Sequence, residues 1–377
     1  MARRAAPAEE VGRLNDSVRI ESNTLHLPGG ARVSFVRTLR LPESGTHQLP
    51  PGLGDFPLRR VEDYPDTAPP EWLARGGVML PVYLREAMWL NFRGTSVPCA
   101  LQVGVGKVCA VSGRPWSAEL RGARQNARQN ARQNYVPLPR QPWLDGINSG
   151  SGTVRQFVAV PLGLGATVEG QVTGEETWGG VQLQSFALTD AARRAWDEER
   201  RRLAQARRAV PEQAGYGLAA PPAPPGGFAP PGSPPGGAPT AAAAPGGAMP
   251  RRAAAMGVGA GGSMRQEVYR DDRPLSDYAA TPAGRVFVHL VTPPDWRRIT
   301  GEAPPPSPVD RAAYTAAGLP WFSYFDEDAA DLPGAEPLSG VQPVGDWLGA
   351  DHEPWAEPGA GQVEPLGPGK PVGDGEW

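Results

Sequence analysis

The sequence predicts a mainly β protein, in which an antiparallel β-sandwich or barrel-like domain is followed by a small C-terminal α/β segment. The first observation is an alternation of apolar and polar side chains, which is the period of a half-buried strand. It occurs in four stretches: 31–41, 99–111, 166–173 and 181–184. The second is a loop with three glycines at 174–180, long enough to close an antiparallel hairpin between the last two stretches. We therefore expect residues 154–186 to form the centre of a sheet.

Composition limits the class of protein. The chain has 377 residues, of which 48 are Gly and 45 are Pro, and its net charge of -3 creates no global field towards nucleic acid or an anionic membrane. Two cysteines are too few for a disulfide framework. Cys99 and Cys109 are therefore expected to be buried, inert thiols in a reducing, cytoplasmic compartment. No apolar run near the N-terminus is long enough for a signal peptide or a membrane span.

The predicted core domain begins with short strands. Residues 17–27 suggest two of them around Asn23, and the alternation at 31–41 predicts the first long strand. The connection at 42–70 is rich in Asp, Pro and Gly, so it is expected to be a long loop. Three apolar residues are expected to fix this loop to the core: Phe56, Leu58 and Val61.

Two apolar stretches follow. Pro81 divides residues 77–92 into a short strand and a second element that could be helix or strand. Residues 99–111 form either one strand or a hairpin that bends at 104–106, and only the hairpin could bring the two cysteines face to face. A tandem Ala-Arg-Gln-Asn repeat at 123–134 is interpreted as a lengthened surface loop.

The composition changes after the core domain. Thr189 or Asp190 can cap a charged helix whose arginines cluster towards its C-terminal end, where they suit the helix dipole. A stretch of Pro, Gly and Ala follows that cannot bury a core. One strand at 285–291 and two short helices are too little to fold alone, so we expect this segment to dock on the core. The predicted order is a disordered lead-in (1–16), a β-rich core domain (17–189), the charged helix (190–209), a linker (210–263), the small α/β segment (264–346) and an acidic disordered tail (347–377).

Three sequence blocks resemble a family of uncharacterised bacterial proteins, many of them from actinobacteria. The blocks are PWLDGI at 142–147, RQFVAVPLGLGATVEGQVTGEE at 155–176, and the segments FVHLV, ITGE and AGLPWF between 287 and 322. The resemblance implies that the core domain and the C-terminal segment belong together across a variable linker. It implies no activity, ligand or catalytic residue.

An enzyme would need a convergent set of acid and base groups. Glu86, Asp145 and His289 are the candidates for a hydrolase-like site that acts on a small molecule, although they form no recognised spacing. His289 lies among apolar strand residues, which favours a hydrogen-bonded core histidine. The chain has four histidines and neither HExxH nor CxxC spacing, so no metal site and no cofactor are predicted.

A binding function needs less special chemistry, because a β-rich domain can present aromatic and polar side chains without perturbed pKa values. The candidates for such a face are Trp143, Arg155, Trp178 and Gln182. We therefore favour a non-enzymatic, cytoplasmic recognition or scaffold protein whose partner is a protein or a small polar ligand. Nucleic-acid binding through the arginines of the repeat and of the charged helix is a third hypothesis. The repeat lacks interleaved aromatic residues, which disfavours it.

Overall fold

The computed structural model describes residues 18–122, 133–150, 152–209, 255–324 and 330–366. The chain divides into two compact units, and the second begins at Arg193 within the charged helix. The first unit holds all the other described residues. The predicted lead-in, most of the Ala-Arg-Gln-Asn repeat and most of the linker lie outside the described residues.

Strands dominate the first unit, and seventeen of those in the described ranges join one hydrogen-bonded sheet. These are β1 Arg19–Glu21, β2 Thr24–His26, β3 Arg32–Thr38, β4 Thr46–His47, β5 Gly52–Asp55, β6 Arg59–Arg60, β7 Val78–Pro81, β8 Ala87–Asn91, β9 Cys99–Val105, β10 Val108–Cys109, β11 Val136–Leu138, β12 Trp143–Leu144, β13 Gly146–Gly150, β14 Thr153–Pro161, β15 Val181–Ala187, β16 Ala255–Arg265 and β17 Gly284–Val291. A separate parallel pair consists of β18 Trp321–Tyr324 and β19 Val363–Leu366.

The helices are mostly short and lie between the strands. They are α1 Pro70–Arg75, α2 Val168–Thr173, α3 Asp190–Ala209, α4 Pro293–Thr300, α5 Arg311–Ala316, α6 Glu336–Ser339 and α7 Val344–Leu348. The charged helix is predicted with the bounds that α3 has, and the hydroxyl of Thr189 accepts a hydrogen bond of 3.3 Å from the N–H of Ala192 at its start.

The sheet consists of two runs of strands that share a core. One run is β2-β3-β8-β14-β16 and the other is β7-β17-β15-β9, with mostly antiparallel pairing. They meet where Ala255 and Met256 of β16 pair with the end of β17. Side chains of both runs, such as Phe35 and Leu183, are buried in one cluster. The prediction of a mainly β, sandwich or barrel-like fold is therefore confirmed.

Most of the predicted local elements of the core are present. Two short strands flank Asn23, which has a φ of 62°, and β3 occupies the first long alternating stretch. The three apolar residues of the following loop are all buried. The stretch divided by Pro81 forms two strands, β7 and β8. Alternation and the position of proline are local signals, so these elements are predictable without knowledge of the tertiary contacts.

The two cysteines lie on a hairpin and not on one strand. β9 and β10 pair so that Cys109 lies opposite Gly104, which leaves Cys99 at the far end of β9. Both thiols are buried and unbridged, as expected for inert cysteines. Burial raises the pKa of Cys99 to about 12.

The expected hairpin of 166–173 with 181–184 is wrong, because residues 168–173 form helix α2. Thr167 caps the helix by accepting a hydrogen bond of 2.9 Å from the N–H of Gly170, and Gly174 ends it in the left-handed conformation with a φ of 78°. In a stretch of six residues, alternation of apolar and polar side chains is also compatible with one face of a helix. Here the N-terminal and C-terminal caps favour the helix over the strand. β15 pairs with β9 and β17 instead.

The predicted linker extends too far, because residues 255–263 belong to the buried strand β16. The sequence GVGAGGS within this strand has the composition of a linker, which explains the error. Its glycines allow close packing: a Cβ atom on Gly257 would lie 2.5 Å from Cγ2 of Thr167, and one on Gly262 would collide with the carbonyl of Pro42. The C-terminal segment therefore contributes two strands, β16 and β17, to the sheet itself rather than docking on a finished domain.

The predicted disordered tail is tied to the fold as far as residue 366. Arg311 is 2 % exposed, and its Nη1 donates to Asp351 across 2.6 Å. Arg40 donates to the other oxygen of the same carboxylate across 2.7 Å. Glu353 accepts the backbone N–H of Arg311 across 2.9 Å. The acidic residues that suggest a solvated tail are thus the counter-charges of a buried guanidinium.

Arg311→Met should destabilise the protein by about 3–5 kcal/mol, because it removes the buried guanidinium that pairs with Asp351 and that donates to the carbonyls of Arg40 and Glu353. The measurement is the free energy of unfolding in urea. Arg202→Met is the matched control, since Arg202 pairs with Glu198 across 2.6 Å on the exposed surface of α3. It should change stability by less than about 1 kcal/mol. Equal losses in the two variants would show that the Arg311 network contributes little.

Gly257→Ala should destabilise the protein by about 1–3 kcal/mol, because the added methyl group overpacks the contact with Thr167. Gly340→Ala is the control, since Gly340 has a φ of -83° and open space around it. Chemical denaturation compares the two, and a Gly257→Ala protein as stable as the control would contradict the close packing of β16.

Candidate functional site

A cleft of about 620 Å³ lies where four strands end. β4 runs parallel to the end of β16 and brings Thr46 to the cleft. Thr153 at the start of β14 lies opposite Arg265 at the end of β16. Leu49 and Phe322 exchange two backbone hydrogen bonds of 2.9 and 3.0 Å, which hold β18 beside them. The cleft is thus assembled from segments that are distant in the sequence.

Most of the lining residues have polar side chains, and one has an aromatic ring. Five lining side chains are polar and uncharged: Thr46, Gln48, Thr153, Gln266 and Ser323. Arg265 and Glu267 add one charge of each sign, and Tyr324 adds the ring. A separate, much smaller recess of about 10 Å³ shares Gln266 and Tyr324 with the cleft and is also lined by Gln141 and Trp143. We call this site, with its recess, the Tyr324 cleft.

Trp143 supports the aromatic wall of the cleft. It is 6 % exposed and meets Tyr324 edge to face, with 4.8 Å between ring centroids. The guanidinium of Arg93 lies 5.0 Å from the centroid of the indole ring. Packing of this kind restricts the rotamers of an aromatic side chain, so Tyr324 is held in the wall before any ligand arrives.

Asp145 lies behind the cleft wall and is joined to it by Gln266. The amide Nε2 of Gln266 donates to the carboxylate across 2.6 Å, and its Oε1 accepts the backbone N–H of Asp145 across 2.9 Å. Burial raises the pKa of Asp145 to about 7, although hydrogen bonds with the side chains of Trp143 and Gln266 oppose the shift. Asp145 is 3 % exposed, so it orients Gln266 and does not line the cleft itself.

Gln141 holds the backbone around the recess. Its Nε2 donates to the carbonyls of Trp143 and Glu267 across 3.0 and 3.1 Å. Its Oε1 accepts the N–H of Tyr269 across 2.9 Å. A buried amide with all these partners gives a rigid connection between the segment after β16 and β12.

Glu86 lies outside the Tyr324 cleft, in a buried ion pair. The Nε of Arg37 donates to its carboxylate across 2.6 Å, and the N–H of Tyr83 donates across 2.8 Å. Nη2 of Arg37 also donates to the carbonyl of Pro306 across 2.7 Å, which covers the pair. Burial raises the pKa of Glu86 in spite of these hydrogen bonds. Its oxygens thus have structural partners.

His289 is a core histidine, as its sequence context favours. Its Nε2 lies 3.0 Å from the carbonyl of Gly76, and its ring stacks on Trp72 with 4.6 Å between centroids. Burial lowers the pKa of His289 to about 3, so the ring is neutral at ordinary pH. Glu86, Asp145 and His289 have three separate sets of partners, and the convergent site that the enzyme hypothesis requires is not assembled.

The other predicted binding residues are engaged elsewhere. Arg155 donates to the carbonyl of Val341 across 2.6 Å, and Gln182 donates to the carbonyl of Gly106 across 2.6 Å. Trp178 lies against the guanidinium of Arg75, which is 4.2 Å from its ring centroid. Of the four predicted residues, Trp143 alone reaches the Tyr324 cleft. The structure therefore does not combine them into one recognition face.

The long block at 155–176 has a structural explanation in two hydrogen-bonded acids, Glu169, which is buried, and Glu176, which is half-buried. Glu176 accepts hydrogen bonds from the N–H groups of Gly165 and Thr167, both across 3.0 Å. Glu169 accepts from the N–H groups of Trp178 and Gly179 across 3.1 and 2.9 Å. These carboxylates satisfy the backbone of a tight loop and a helix end, so the acidic motif is not a free acid/base pair.

Sequence reasoning misses most of the cleft. Thr46, Thr153 and Ser323 are small polar residues near strand ends, where such residues are common. Gln266 directly follows a strand of glycine and apolar residues, and this position is the only local signal that it carries. The lining residues meet through long-range strand pairing, so no spacing in the sequence reveals them.

The described ranges contain neither a metal-binding cluster nor a membrane-spanning helix. No group of three or more His, Cys, Asp or Glu side chains there is placed to hold a metal ion. None of the helices in those ranges has the length and the apolar character needed to cross a bilayer.

Asp145→Asn should change the pH dependence of stability. The pKa of folded Asp145 is raised to about 7 from an ordinary 3.8, so the folded state keeps a proton that the unfolded chain has lost. The resulting stabilisation is complete below about pH 4 and is lost as the pH rises through 7. From about pH 5.5 to about pH 8, the free energy of unfolding of the wild type should fall by about 2 kcal/mol relative to that of Asp145→Asn. Urea unfolding of the two proteins across this pH range measures the difference, and parallel pH profiles would contradict the raised pKa.

No family model, curated protein or solved structure matches this chain. The resemblance of the three sequence blocks to a bacterial family therefore stays a prediction. The function of the protein has to be inferred from the geometry and the contacts of the Tyr324 cleft.

Proposed function

We propose that the protein is a non-enzymatic recognition protein that binds a small polar ligand in the Tyr324 cleft. The observation that carries the proposal is a cleft of about 620 Å³ with polar, uncharged side chains around one aromatic ring. Small-molecule sites commonly have volumes of about 300–1,000 Å³ and a few placed polar groups. The cleft therefore has the size and the chemistry of such a site.

The cleft walls are fixed before binding, which supports affinity. Gln266 is held by two hydrogen bonds with Asp145, and Tyr324 is held by Trp143. A ligand that meets ordered side chains loses less free energy to the ordering of its site. The same two residues, Asp145 and Trp143, thus act as positioning residues of the proposed site.

The positions of the acids and the histidine count against the enzyme alternative. A hydrolase needs an acid or base within reach of a bound substrate. Glu86 is paired with Arg37, and His289 is neutral and stacked on Trp72. Asp145 is separated from the cleft by Gln266. Among the described residues, none of the three predicted catalytic residues lines the cleft, and Glu267 lies in the lining without a histidine, a cysteine or a second acid, which supports binding better than acid/base chemistry.

The arginines of α3 support nucleic-acid binding less well than the cleft supports a small ligand. Arg193 pairs with Asp197 across 3.0 Å, and Arg202 pairs with Glu198 across 2.6 Å. Acidic partners on the same helix reduce the attraction for phosphate groups. A cytoplasmic location is part of our proposal and is supported by two buried thiols that form no disulfide.

Saturable ligand binding to the full-length protein tests the proposal. The measurement is the thermal unfolding midpoint in the presence of neutral disaccharides, nucleoside monophosphates, amino acids and dicarboxylates. A compound that binds the native state should raise the midpoint, and a concentration of 100 times Kd corresponds to about 2.7 kcal/mol. Thr46→Trp should abolish the shift by filling the cleft.

Thr281→Trp is the matched control, because Thr281 is exposed and does not line the cleft. It should keep the ligand-induced shift of the wild type. A flat response to every compound would overturn the proposal, and so would a shift that Thr46→Trp leaves unchanged.

A further inference from the structure

We infer that the ligand of the Tyr324 cleft is a neutral saccharide, an inference that rests on the proposed function and narrows its ligand class. Three properties of the cleft lead to it: the donor and acceptor character of the walls, the balance of charge, and the supported aromatic ring. Each separates a sugar from another class of small polar ligand.

The polar walls offer donors and acceptors together. The hydroxyl groups of Thr46, Thr153 and Ser323 can each donate and accept a hydrogen bond. The two hydrogen bonds of Gln266 with Asp145 leave one amide hydrogen and one carbonyl lone pair for a ligand. Sugar hydroxyl groups also donate and accept, whereas a carboxylate or phosphate can only accept. The walls therefore match a polyhydroxylated ligand.

The charges of the cleft do not select an ion. Arg265 and Glu267 both line it and have opposite signs. The carboxylate of Asp331 lies beside it and accepts hydrogen bonds from the N–H groups of Gly152 and Val268 across 2.5 and 2.9 Å. Asp331 is not among the lining residues and both its oxygens already have N–H donors, so the lining itself has one charge of each sign. An anionic ligand would meet Glu267, and a cationic ligand would meet Arg265. A neutral ligand avoids both repulsions.

The aromatic wall suits the apolar side of a sugar ring. Tyr324 is half-buried, and its edge-to-face contact with Trp143 fixes its position. The C–H groups of a pyranose form an apolar face that packs on an aromatic ring, while the hydroxyl groups point to the rim of the ring. One supported aromatic ring among five polar, uncharged side chains combines both requirements.

Calorimetric titration of the full-length protein tests the inference with defined probes. The neutral probes are cellobiose, maltose, trehalose and N,N′-diacetylchitobiose, and the charged probes are citrate and AMP. We expect saturable binding of at least one neutral disaccharide. Tyr324→Ala should weaken it by about ten-fold or more, whereas Tyr324→Phe should retain it within a few-fold. Thermal unfolding without ligand verifies that both variants fold.

The outcomes separate the inference from the proposed function. Disaccharide binding that Tyr324→Ala weakens and Thr281→Trp preserves supports both. Binding of citrate or AMP with none of the disaccharides overturns the saccharide inference and leaves a small-ligand site in place. Disaccharide binding that Tyr324→Ala and Thr46→Trp leave unchanged overturns the assignment to this cleft. Failure of all six probes overturns the saccharide inference, and the wider thermal panel then decides the proposed function.

Discussion

The pairing of β14 with β16 is the contact on which most of the structure depends. It runs from Thr153 opposite Arg265 to Pro161 opposite Met256, and it inserts a strand that follows residues 210–254 into the middle of the sheet. β16 then continues to β17, so that the two runs of strands enclose one core. The same register carries the end of β16 to the Tyr324 cleft. A shift by one residue would exchange the two faces of the strand and would disrupt the core and the cleft together.

Buried polar side chains provide hydrogen bonds where strand pairing cannot. Gln156 accepts the N–H of Leu41 across 3.0 Å and donates to the carbonyl of Leu39 across 2.8 Å, where β3 has already ended. Glu176, which is half-buried, accepts N–H groups of the loop before α2 in the same way. A buried backbone group without a partner costs about 1–3 kcal/mol, so each connection prevents a substantial loss of stability. This role explains why acids that look chemically promising in the sequence, such as Glu86 and Glu176, bind N–H donors of the protein in the structure.

The proposed binding site also depends on buried side chains that hold their neighbours in place. Asp145 and Trp143 are buried, and each holds one cleft residue, Gln266 or Tyr324, in place. The groups that remain for a ligand are hydroxyls, amides, the ring of Tyr324 and the opposite charges of Arg265 and Glu267. A site of this kind can recognise shape and hydrogen-bonding pattern without a reactive side chain. Its supporting residues are therefore as important for recognition as the residues that line it.

The sequence by itself determines the elements whose signals are local. The alternation in β3, β9 and β15 and the capped, charged helix α3 are readable because side-chain period and capping act over a few residues. Trp143 is also identifiable as a candidate, since it is a tryptophan in a turn-rich block. The tertiary structure alone decides the helical state of α2, the inclusion of β16 in the sheet and the composition of the cleft. The six residues of α2 are compatible with the period of a strand and with that of a helix. The glycine-rich strand β16 has the composition of a linker. The cleft joins side chains that only long-range strand pairing brings together.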